Sequence, residues 1–72
     1  MAVSYNKLWK LLIDRRMSRP ALRKAAEIAP NTMTKLYRDE PVHMSILCRV
    51  CQVLECDFGD IVEYVPQAEE SR

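Results

Sequence analysis

Tyr5, Leu8, Trp9 and Leu12 recur at the spacing of one face of a helix that also carries Ile13, with Lys7, Lys10, Asp14 and Arg15 elsewhere. That pattern predicts a first helix over about Ser4 to Met17, with Ser4 and Asn6 as candidate starters. Ser18 then reads as the N-cap of a short second helix, about Arg19 to Glu27. Pro20 falls in its first turn, where a missing N–H costs nothing. Leu22, Ala25 and Ala26 form its apolar side, and the small alanines permit another helix to approach closely.

Ile28-Ala29-Pro30 interrupts the run, because the residue before a proline disfavours the helical region. Pro30 itself suits the first position of a third helix, about Pro30 to Arg38, with Met33, Leu36 and Tyr37 as inward candidates. After Asp39-Glu40-Pro41, a fourth helix over about Met44 to Leu54 presents Leu47, Val50, Cys51 and Leu54 at core spacing. Asp57 can cap a last helix, with Asp60 in its first turn and Phe58, Ile61 and Val62 as its apolar face. No segment alternates long enough to predict a strand. The expected fold is all-α, five short helices in one domain over residues 1–65, followed by a polar tail over 66–72.

Length and composition narrow the function. Seventy-two residues, 49% hydrophobic and 29% charged, suit one small globular domain with no room for a deep active site. No run approaches the roughly 18 apolar residues of a membrane span, and Met1 to Lys10 holds no apolar signal core. Three cysteines, an odd number, fit reduced thiols in a cytoplasm. His43, Cys48, Cys51 and Cys56 nominally make a zinc set, but Cys48 and Cys51 fall inside a predicted helix, where thiols pack as small apolar groups. His43 has no matched serine or acid at a catalytic spacing. Neither an enzyme, a metal nor a cofactor is expected.

Net charge is only +1, yet it is unevenly distributed. Residues 1–38 carry nine bases against two acids, a balance of +7; residues 39–72 carry two bases against eight acids, a balance of −6. Such polarity suggests one face for an anionic partner. Within the basic half, Ser18 to Arg38 has the shape of a helix-turn-helix, whose second helix lays its polar side into the major groove of double-stranded DNA. Asn31 can pair with an adenine edge and Lys35 with guanine acceptors, while Thr32 and Thr34 can meet thymine methyls or phosphates. Arg19 and Arg38 flank the unit where phosphates would lie.

The ordered set Tyr5-Asn6-Lys7-Leu8-Trp9, Met17-Ser18-Arg19, Leu22-Arg23-Lys24-Ala25, Pro30-Asn31-Thr32, Lys35-Leu36, Leu54-Glu55-Cys56-Asp57 and Gly59-Asp60-Ile61 resembles the XRE-type, phage-repressor-like helix-turn-helix family. Within it, the compact regulators of Gram-positive bacteria are the nearest in pattern. The resemblance implies a five-helix, lambda-repressor-like transcriptional regulator. It would place Arg19, Pro30, Asn31, Thr32 and Lys35 against DNA, with Arg38 on the backbone. Where the family usually has glycine in the turn this chain has Glu27, and where a capping hydroxyl is usual it has Ala29. Asp39 and Glu40 follow the recognition helix, two acids that would weaken binding if they faced phosphates. One module offers few base contacts, so a homodimer on two half-sites is expected, joined around the last helix and Tyr64-Val65. No small-molecule ligand is implied. A second reading is a degenerate helix-turn-helix serving as a protein-binding antirepressor or antitoxin module.

Overall fold

Caps and turn residues decide where each helix stops. The computed structural model describes residues 3–66; apart from Pro66, the expected polar tail lies outside the described residues. The elements are β1 (Val3–Ser4), α1 (Asn6–Asp14), α2 (Arg19–Ala25), α3 (Pro30–Tyr37), α4 (Met44–Leu54), a single 3-10 turn (Phe58–Asp60) and β2 (Glu63–Tyr64). Ser18 caps α2 as expected, its hydroxyl accepting the Ala21 N–H at 3.1 Å. Ala29 gives α3 no side-chain cap, and Pro30 at the helix start removes one donor that would otherwise need a partner.

Among the described residues there are four α-helices where five are expected. Phe58–Asp60 is one turn, started by Asp57, whose carboxylate accepts the Phe58 N–H while its own N–H donates to the Asp60 carboxylate at 2.9 Å. Beyond it, Val62 to Pro66 is rich in β-branched residues and closed by a proline, which favours extended backbone. Glu63 and Tyr64 pair antiparallel with Ser4 and Val3, so the two ends of the domain are joined by a minimal ribbon. Two-residue strands leave no alternating pattern to read.

One glycine serves the whole chain, and none of the helix ends uses it. Instead Arg16, Glu27, Asp39 and Glu55, one just past each helix, take left-handed backbone with φ of 56°, 55°, 57° and 53°. In each of the first three, the following N–H reaches back to the last turn: Met17 to the Leu12 carbonyl, Ile28 to Arg23 and Glu40 to Lys35. Side chains in this region strain the backbone by about 1–2 kcal/mol. Glu27→Gly is therefore expected to raise stability by about 0.5–1 kcal/mol, after glycine's extra unfolded-state freedom is subtracted. The midpoint should rise by a few degrees in a domain of this size; a melting temperature unchanged or lowered would contradict the strain.

The core gathers Leu8 and Leu12 from α1 with its N-cap Tyr5, Leu22 from α2 with its C-cap Ala26, Met33 and Leu36 from α3, and Ile46, Leu47, Val50 and Leu54 from α4, closed by Ile28 and Ile61. Two expectations need correction: Ala25 is exposed while its neighbour Ala26 is buried, and Tyr37 is 47% exposed. Ile13, off the face that Tyr5, Leu8, Trp9 and Leu12 share, is 75% exposed. At roughly 100° per residue, Tyr5, Leu8 and Leu12 cluster on one stripe and Ile13 falls about 100° from its centre. Tyr5 is the central tie: its hydroxyl donates to the Glu40 carbonyl at 2.8 Å and its N–H donates to the Asp39 carboxylate at 3.0 Å. Burial, and then the Asp39 charge, push the Tyr5 hydroxyl pKa up. The start of α1 is thus fastened to the end of α3.

Candidate nucleic-acid interface

Met33 and Leu36 are buried and fix the rotation of α3. With roughly 100° between successive residues, Asn31, Thr34, Lys35 and Arg38 fall on the opposite side, and all four are exposed. Pro30 is exposed at the helix start, whereas Thr32 sits on the shoulder and is half-buried. The Thr34 hydroxyl donates to the Pro30 carbonyl at 3.1 Å, so it closes the first turn of its own helix. Arg38 is the C-cap of α3 instead of a full helical residue, yet its side chain stays on the same outer face.

Arg19 opens α2 beside this face. Its guanidinium lies 4.3 Å from the centre of the Trp9 ring and 5.1 Å from that of Tyr37. The two rings are themselves 5.5 Å apart and tilted by 32°. Trp9 is half-buried, so it serves this cluster as well as the edge of the core. Sequence spacing puts Trp9 on the apolar stripe and gives no sign of the stacking; only the convergence of α1, α2 and α3 creates it.

The charge asymmetry of the sequence maps only partly onto faces. Lys7 donates to the Gly59 carbonyl at 3.1 Å and pairs with Glu63 at 4.0 Å. Arg15 donates to the Leu54 carbonyl at the end of α4, where a cation is favoured by the helix dipole. Lys10, Asp14, Glu55 and Asp60 line the same open cleft. Lys7, Lys10 and Arg15 therefore sit among acids and carbonyls of the second half, while Lys35 and Arg38 on α3 and Arg19 at the start of α2 are exposed. Asp39, one of the two acids expected to oppose phosphates, turns its carboxylate back to the Tyr5 N–H.

Among the described residues, no group of three or more His, Cys, Asp or Glu side chains could hold a metal ion. Cys48 is exposed, and Cys51 and Cys56 are half-buried. Burial first, and then Cys56, push the Cys51 thiol up to about 11, and burial also raises Cys56. Both stay protonated near neutrality and are poor nucleophiles. Among the described residues, no helix is long and apolar enough to cross a membrane.

A search of curated proteins finds no match to this chain. Among solved structures, the crystal structure of the transcriptional regulator VanUg is similar to it, with a TM-score of 0.90 and 50% sequence identity. That likeness covers 92% of this chain and 88% of the other. Residues 7–67 match the family model of the Cro/C1-type helix-turn-helix DNA-binding domain. A match of that extent, on a chain whose Ser18-capped α2 and outward-facing α3 have the required form, makes the chain a member of the Cro/C1-type helix-turn-helix family.

Proposed function

We propose that the chain is a sequence-specific transcriptional regulator, acting as a repressor, that lays α3 in the major groove of double-stranded DNA. The observation that carries this reading is the division of α3: Met33 and Leu36 anchor one side, and Asn31, Thr34, Lys35 and Arg38 are left exposed on the other. Asn31 can take two hydrogen bonds with adenine, and Lys35 can donate to guanine O6 and N7. Thr34 offers its methyl to thymine, since its hydroxyl is engaged with Pro30. Pro30 and Thr32 line the leading end of the helix, in contact range of bases or sugar. Arg19 and Arg38 contact phosphates on either side and set the register.

Family membership supports DNA as the partner, and the likeness to VanUg, a transcriptional regulator, supports a role in transcription. One domain reads only a few base pairs, so two copies on half-sites about one helical turn apart would supply the specificity. Tyr64, 74% exposed, and Val65 lie at the strand end of the domain and support its use in self-association. A protein-binding role draws its motive from the acid pair Asp39 and Glu40 and the missing turn glycines; of these, the Asp39 carboxylate is engaged inside the chain. Selection of bound DNA from a random duplex pool tests the reading. It should converge on a short motif containing adenine and guanine at fixed separation; a pool that stays random over successive rounds would overturn sequence-specific binding.

A further inference from the structure

The Arg19, Trp9 and Tyr37 cluster joins three helices at the edge of the proposed DNA face. Trp9 comes from α1, Arg19 from the first position of α2, and Tyr37 from the last position of α3. A guanidinium stacked on a ring uses its flat face, while its N–H groups lie in the plane and point outward. Among the described residues, no carboxylate lies within ion-pair distance of Arg19, so its donors are not claimed from inside. Long arginine side chains otherwise lose considerable rotamer freedom when they engage an anion.

We propose that Trp9 and Tyr37 are positioning residues that hold Arg19 ready to clamp a DNA phosphate. The inference rests on the DNA-binding reading and deepens it. Because Tyr37 ends the recognition helix and Trp9 belongs to α1, the same stack ties the clamp to the placement of α3. The phosphate then meets a guanidinium already oriented, with two parallel donors available for bidentate contact. Recognition of a phosphate carries no base information, so the stack contributes affinity and register without contributing base preference.

A double-mutant cycle on a selected duplex tests this, using Arg19→Ala, Tyr37→Leu, Trp9→Phe and the combined variants. Tyr37 is exposed enough for its replacement to leave the fold intact, and Trp9→Phe keeps an aromatic ring at the edge of the core. Tyr37→Leu should weaken all duplexes about two- to fivefold, in keeping with an exposed cation–ring contact, and leave the selected motif unchanged. In the Arg19→Ala background the same replacement should have almost no further effect. Trp9 is the only tryptophan, so its fluorescence reports the stack in the free protein. Arg19→Ala should make it more open to a neutral quencher, with circular dichroism unchanged. Wild-type binding together with independent, multiplicative effects of Tyr37→Leu and Arg19→Ala would overturn the positioning role alone. Quenching indifferent to Arg19→Ala would overturn it as well. Failure of the wild-type chain to bind any duplex would instead overturn the DNA-binding reading, and this inference with it.

Discussion

Leu22→Ala should destabilise the domain by about 2–5 kcal/mol, whereas Ile13→Ala should change stability by no more than about 0.5 kcal/mol. Leu22 has no solvent exposure and stands where α2 meets the core, so truncation removes buried methyl groups and leaves a cavity. Ile13 is an aliphatic residue of similar size, but it is 75% exposed and has little contact to lose. The total stability of small domains is only about 5–15 kcal/mol, so the Leu22 variant should be partly unfolded at modest temperature. Urea unfolding of both variants beside the parent measures the difference. Equal midpoints for the two variants would mean that α1 is rotated away from the orientation that exposes Ile13.

Asn31→Ala and Lys35→Ala should each cost about 1–3 kcal/mol on the selected duplex and relax base preference at one or two positions. Both side chains are exposed on the outer side of α3, and neither supports the core, so their loss should leave the melting temperature nearly unchanged. Arg19→Ala should behave differently, weakening every duplex alike. Competition with single-base variants of the selected site separates the two outcomes. Unchanged preference in both α3 variants would remove these residues from base reading.

How far the fold is legible in the sequence varies by element. Ser18 as a cap, Leu22, Met33 and Leu36 as buried residues, and the polar face of α3 all follow from local spacing, and the structure agrees with it. Local spacing also misleads. Trp9 and Ile13 lie next to core positions in sequence, but α1 turns them to the rim and to solvent. The apolar residues after Asp57 fit a helical face and suggest a last helix. The antiparallel pairing of Glu63 and Tyr64 with residues at the other end of the chain decides the outcome instead. Such a partner is invisible to any short window.

The polar part of the site is hardest to read. Counting charges by halves places all the bases of α1 on a DNA side, but Lys7 and Arg15 are drawn to Glu63, Gly59 and Leu54 by long-range packing. Asp39 reads as a repulsive neighbour for phosphates, and in the fold it holds the start of α1. Glu27, standing where the family usually has glycine, takes the left-handed backbone itself, and three further helix ends repeat the device. The stacking of Arg19 leaves no trace in the sequence pattern, because it depends on three helices meeting.

A small cationic face around α3 should engage DNA despite a net charge near zero, and salt dependence tests this most directly. The measurement is affinity for the selected duplex over a range of salt concentrations. A slope of log affinity against log salt of roughly −0.9 per phosphate contact is expected. Arg19→Ala and Arg38→Ala should each make that slope shallower by about one. Affinity that is flat in salt, or a slope untouched by removing either arginine, would contradict it.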